Sequence, residues 1–156
     1  MRMKVNTRIF GEIDVEEEKI IHFDNGIIGF PEYKDFTLIF DVEKGPESSI
    51  IWLQSMDEAE FAIPVLKPQL IQKDYNPSMQ EEYLEPLGDI HGENALMYVT
   101  VTIPAEIEKM SINLRAPIVI NVDSRKAAQI IVEDDLPVKY YIYDIISSKS
   151  EEKEDE

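Results

Sequence analysis

Met97-Tyr98-Val99-Thr100-Val101-Thr102-Ile103 decides the fold class. Met97, Val99, Val101 and Ile103 alternate with Tyr98, Thr100 and Thr102. A period of two sets one face of a strand on a core and leaves the other wetter. Phe36, Leu38, Phe40 and Val42 repeat the pattern against Thr37, Ile39, Asp41 and Glu43. Shorter runs rich in Ile, Val, Phe and Tyr read as strands at residues 5–9, 13–15, 19–23, 50–54, 61–65, 111–114, 118–122, 128–133 and 139–145. Turn signals separate them, with hairpin connections expected at residues 44–49 and 123–126. Pro31, Pro104 and Pro137 fall at expected strand ends, where a missing N–H does little harm.

Only residues 79–87 read as helix. Ser78 with Glu81 has the form of a capping box, and Met79, Tyr83 and Leu87 recur at a spacing of four. Pro86 limits the segment to about two turns. There is no alternation of strands with helices and no internal repeat. The expected architecture is mainly β, a single-domain antiparallel barrel-like or sandwich fold with one short helix. The domain is expected over residues 1–146. Residues 147–156 lack any apolar side chain and read as a disordered acidic tail, either a steering antenna or a solubiliser.

The chain of 156 residues carries 32 acidic and 15 basic side chains, a net charge of −17. Such a surface repels phosphate and anionic lipid, and it draws cationic partners. Nucleic-acid binding is disfavoured, since the only basic cluster is Arg2, Lys4 and Arg8. Trp52, Tyr140, Tyr141 and Tyr143 read as core or cross-strand packing rather than base-stacking platforms. The absence of cysteine excludes disulfides, thiolate nucleophiles and cysteine-ligated metals. The N-terminus has no apolar run behind its charges, and no stretch approaches the ~20 apolar residues of a membrane span. These features point to a cytoplasmic protein.

A search for chemistry finds no active site. His22 lies in a strand pattern and His91 in a polar loop, and neither belongs to a metal-ligand spacing. Gly26 and Gly29 bracket Ile27-Ile28 as a turn, with positive φ expected at one or both, and no glycine pattern forms a phosphate cradle. No nucleophile elbow is present. Carboxylate pairs such as Glu12/Asp14 and Glu133/Asp134 are too abundant to single out. No catalytic, cofactor-binding or metal-ligating residue is assigned, no cofactor is expected, and the chain does not read as an enzyme. Two other classes share the acidity: a carboxylate-based hydrolase on a β-barrel scaffold and an acidic nucleic-acid mimic.

The run Met110-Ser111-Ile112-Asn113-Leu114-Arg115-Ala116-Pro117-Ile118-Val119-Ile120-Asn121 resembles the hallmark "vNL-aPivIN" of the flagellar assembly factor family, FliW. Phe23-Asp24-Asn25-Gly26-Ile27-Ile28-Gly29-Phe30 is similar to that family's "F-GI-GF" segment. Trp52-Leu53-Gln54-Ser55, Phe61-Ala62-Ile63-Pro64-Val65 and Arg125-Lys126-Ala127-Ala128-Gln129-Ile130-Ile131 resemble three of its strands in the same order. The resemblance covers the chain to about Tyr143. It implies a small cytoplasmic β-barrel-like protein that is not an enzyme. It further implies binding of the basic, dimeric translational repressor CsrA, at a site away from its RNA-contacting surface, and binding of flagellin. Secretion of flagellin would free the factor to capture the repressor, so that flagellin translation resumes. The chain is expected to be monomeric on its own.

Charge and resemblance together select candidate partner-binding residues. Glu81, Glu82 and Glu85 lie on the expected helix, and Asp134 and Asp135 follow the Gln129 strand. Asn113, Asn121 and Gln129 are polar exceptions within apolar strands, and read either as satisfied amides that hold register or as contacts for flagellin. Ile118, Ile120, Leu53 and Phe30 read as core.

Overall fold

The computed structural model describes residues 2–7, 9–40 and 50–145. Seven strands close into a barrel: β3 (Ile21–Phe23), β4 (Asp35–Phe40), β5 (Ile51–Ser55), β6 (Ala62–Leu66), β7 (Ala95–Thr102), β9 (Ile118–Asn121) and β10 (Lys126–Gln129). The order around the ring is β7-β6-β5-β4-β3-β10-β9, and β9 pairs back onto β7 through Leu96↔Ile120 and Met97↔Val119. All pairs are antiparallel except β3 with β10. Closing an odd number of otherwise alternating strands must bring two of the same direction together, so a wholly antiparallel ring is excluded. β8 (Ser111–Ile112) and β11 (Tyr140–Tyr141) extend the sheet beyond β7. β1 (Arg2–Thr7) and β2 (Gly11–Glu16) form a separate hairpin.

Every barrel strand sends apolar side chains inward. Ile21, Phe23, Phe36, Ile51, Leu53, Val65, Tyr98, Ile118, Ile120 and Ala127 form one core with Ile27. Phe23 and Phe36 meet edge to face at 5.2 Å, and each is fully buried, worth about 2–3 kcal/mol relative to exposure. Pro64 sits inside β6, where pairing with β7 covers only Val65 and Leu66, so its missing N–H breaks no ladder on that side.

The expectation of one dry and one wet face fails at β7. Tyr98 points into the barrel core, while Val99 and Val101 pack outside it with Leu66, Tyr75, Met110, Ile112, Leu114 and Ile142. An outer layer of loops and short strands covers what a simple barrel would leave to water. β9 is likewise buried at all four residues, Val119 contacting a third cluster with Leu87 and Ile130. Ile103, beyond the strand end, is exposed.

Strand bounds also shift. The expected strand at 128–133 is instead β10, ending at Gln129. Ile130 N–H donates to the Pro117 carbonyl, but Pro117 has no N–H to return, so beyond Gln129 the pairing is one-sided, with Val132 N–H donating to the Arg115 carbonyl. The run at 139–145 pairs only at Tyr140 and Tyr141, and residues 143–145 are helical. Residues 111–114 pair only through Ser111 and Ile112, because Asn113 turns the chain. Residues 19–23 begin in a 3-10 turn, Glu17–Lys19. The connection expected at 44–49 and the tail at 147–156 lie outside the described residues.

The helix is α1, Glu81–Leu84, continued by a 3-10 turn at Glu85–Leu87. The expected capping box does not form: Gln80 occupies the cap position without a side-chain bond to the helix's first turn, and Asp134 accepts from the Ser78 N–H instead. The apolar stripe is also different. Met79, Leu84 and Leu87 pack inward, and Tyr83 is exposed. Pro86 tightens the last turn to three residues, so Leu84, not Tyr83, stacks above Leu87.

Tyr75 fastens the outer layer by donating its phenol to the Leu114 carbonyl at 2.5 Å. Burial first, and the nearby Asp134 carboxylate second, push its pKa up to about 12. The unfolded chain therefore loses this proton first as pH rises above about 10. Stability falls between pH 10 and 12 on this account, and denaturant melts across that range show a flatter fall for Tyr75→Phe. Burial also raises Tyr98, which keeps its contribution in both proteins. Equal slopes for wild type and variant would overturn the assignment.

Candidate partner-binding site

The two acidic clusters read separately in the sequence stand together in the fold. Ser78 N–H donates to Asp134 Oδ2 at 2.9 Å, Gln80 Nε2 donates to Glu133 Oε1 at 3.1 Å, and Glu133 N–H donates to the Ser78 carbonyl at 3.1 Å. These bonds hold the segment that enters α1, whose first turn carries Glu81 and Glu82, against Glu133 and Asp134. Glu81, Glu82, Glu85 and Glu133 are exposed, and no cation lies within ion-pair distance of them among the described residues. Glu81 and Glu82 occupy the first turn of α1, where the helix dipole favours negative charge. Asp134 is half-buried and committed to the Ser78 N–H. Asp135 pairs with Arg115, an exposed contact that contributes little to stability.

The three amides hold turns together. Asn113 Oδ1 accepts from the N–H groups of Arg115 and Ala116, the Asx geometry that sets up Ala116-Pro117. Asn121 is 1% exposed; its Oδ1 accepts from Asp123 and Ser124, and its Nδ2 donates to the carbonyls of Leu87 and Asp89. It ties the β9–β10 turn, where Arg125 has φ 61°, to the end of the helical segment. Gln129 is half-buried: its Oε1 accepts from the Ile28 N–H at 3.0 Å, and its Nε2 donates to the Ala116 carbonyl at 3.1 Å. The glycine turn, the Ala116-Pro117 turn and β10 therefore meet at one side chain.

Other residues depart from expectation. Phe30 is not core but 41% exposed, its ring lying 4.5 Å from that of Phe61. Tyr141, expected to pack, is exposed, while Tyr140 packs against the outer cluster. Leu53, Ile118 and Ile120 are core. His22 Nδ1 lies 2.7 Å from Asp35, and His91 Nδ1 accepts from the Glu93 N–H. Two buried amides were not singled out by the sequence. Gln54, fully buried, donates to the Ala59 and Phe61 carbonyls and shapes the loop after β5. Asn94 donates to Asp89 and Asp123. Neither stands out in the sequence, where Gln54 reads as part of a strand and Asn94 as part of a polar loop. Among the described residues no cluster of His, Asp and Glu is placed to hold a metal ion, and no helix is long and apolar enough to cross a membrane.

The family model "FliW protein" matches residues 4–142. A flagellar assembly factor FliW of Lachnospira eligens is 48% identical over 149 residues, 94% of this chain and 99% of that protein. Its counterpart in Lachnoclostridium phytofermentans is 41% identical over 155 residues, 99% of both chains. A crystal structure of the flagellar assembly factor FliW superposes with a TM-score of 0.81 at 29% identity, covering 90% of this chain and 97% of the other.

Proposed function

The chain belongs to the FliW family of flagellar assembly factors, and from that premise we propose that it acts in the cytoplasm by switching between two protein partners. One is the basic RNA-binding repressor CsrA, whose repression of flagellin mRNA it relieves; the other is flagellin. Flagellin leaving the cell frees the factor for the repressor, which couples secretion to translation without any catalytic step. The observation that carries the reading is the family match across residues 4–142. The acidic face built from residues 78–85 and 133–135 supports it, since an anionic surface steers a cationic partner into place.

Titration of the protein with the purified repressor yields a defined complex, and saturating RNA leaves its affinity unchanged. Flagellin displaces the repressor. Competition by RNA would favour an acidic mimic of nucleic acid, and no complex at all would sink the reading. The acidic face has its own test. Glu81→Lys with Glu82→Lys weakens repressor binding about tenfold near 0.1 M salt and flattens the salt dependence. Unchanged affinity and unchanged salt slope would remove these residues from the interface.

A further inference from the structure

A cleft of about 160 Å³ opens beside the acidic face, where the parallel strands β3 and β10 part company. Their pairing covers only His22↔Lys126 and Phe23↔Ala127. Beyond it β3 turns away into the loop of residues 24–30, while β10 runs on to Gln129. The gap is lined by Asp24 and Gly26, by Glu82 and Tyr83, and by β10 at Ala127 and Ala128. Its charged lining residues are Asp24 and Glu82, and no lysine, arginine or histidine lines it.

Large apolar side chains stand out in solvent at it and next to it: Tyr83, in its lining, is 49% exposed, and Ile28, whose N–H is held by the lining residue Gln129, is 53% exposed. Ile28 and Phe30 are presented by a tight turn in which Phe30 N–H donates to the Ile27 carbonyl at 2.7 Å. Gln129 holds the Ile28 N–H, and the Phe30 ring rests on Phe61. Side chains on so tethered a backbone lose little conformational freedom when a partner covers them.

We propose that this cleft and its apolar rim dock a cationic segment of a partner protein, which inserts an apolar side chain between Tyr83 and the 24–30 turn. Charge selects the segment: Asp24 and Glu82 line the cleft and Glu81 and Glu85 flank it, so a basic segment is attracted and an acidic one repelled. Apolar contact then sets the strength of the complex, as buried anchors do in most interfaces. The inference rests on the reading of the chain as a protein-binding factor, and adds that its acidic face works together with an apolar one.

The test uses the full chain and three labelled peptides at about 0.15 M salt. The peptides alternate lysine with leucine, lysine with serine, and glutamate with leucine. The lysine–leucine peptide binds best; the other two bind at least about tenfold more weakly. Tyr83→Ser and Ile28→Ser each weaken lysine–leucine binding about tenfold, while Ile103→Ser, exposed beyond β7 and outside the cleft, changes it less than about twofold. Equal binding by wild type, Tyr83→Ser and Ile28→Ser overturns the proposal, and so does equal binding of the lysine–serine or glutamate–leucine peptide. Should either variant not fold, amide shifts of the wild type decide: the lysine–leucine peptide moves Tyr83, Ala128 and Gln129, and shifts confined elsewhere overturn the site. The repressor separates the two readings. If the wild type fails to bind it, the proposed function falls and the peptides still decide the cleft; if Tyr83→Ser and Ile28→Ser bind it as the wild type does, the cleft assignment falls and the function stands.

Discussion

Gly26→Ala lowers the stability of the fold by about 2–5 kcal/mol, the sum of overpacking and left-handed backbone strain. Gly26 has φ +67°, and an added Cβ would stand 2.6 Å from Pro31 Cα, 2.7 Å from the Pro31 carbonyl oxygen and 2.8 Å from that of Phe30. All three are backbone atoms, so no side chain can rotate away. The turn must open, which would disturb Ile27 in the barrel core and the Phe30 platform above Phe61. Gly29 provides the internal control. Its φ is +91°, but nothing lies within 4 Å of the place an added methyl would take, so Gly29→Ala carries only the backbone strain of about 1–2 kcal/mol. Guanidinium melts of the two variants separate these terms. Equal losses would mean that the close approach to Pro31 contributes nothing.

Asn121→Ala is expected to cost about 1–3 kcal/mol, because it removes the four hydrogen bonds of a buried amide. The carbonyl of Leu87 retains the Ser124 hydroxyl at 2.7 Å and that of Asp89 retains Asn94 Nδ2 at 2.8 Å, so the heavier loss falls on the Asp123 and Ser124 N–H groups. Asn121→Asp keeps the acceptor and loses the donor, and falls between wild type and alanine. Asn113→Ala, at a half-buried turn, costs less, about 1 kcal/mol. Denaturant melts give the stabilities, and titration of the folded variants with flagellin distinguishes the two roles left open by the sequence. Intact melting with lost binding would make Asn121 a contact residue rather than the tie between the β9–β10 turn and the helical segment.

The strands were legible where a pattern of two met turn residues. β4 and β7 followed directly from residues 36–40 and 97–102, and Gly26 and Gly29 were readable as turn formers, each with positive φ in the structure. The limits were equally physical. Alternation says that one face is buried, and it does not say that an outer layer will bury the other, as it does at Val99 and Val119. A spacing of four marks Tyr83 as inward only if the helix stays α-helical, and Pro86 tightens it. Phe30 looked like core by composition, yet its turn is pinned at the barrel's surface by Gln129.

By itself the sequence determined the β class, through alternating strands and turn chemistry, and the sign of the surface, through a charge of −17. These are local and additive properties, carried by each residue wherever the chain goes. Tertiary structure alone decided which acids share a face and where the apolar cleft opens. Ser78 and Asp134 lie far apart in the chain, as do Ile28 and Gln129, and each pair is joined by one hydrogen bond. The cleft itself exists because an odd-stranded ring must contain a parallel pair, and β3 and β10 separate after two residues of it. Ring closure is a property of the whole chain, and no segment of the sequence states it.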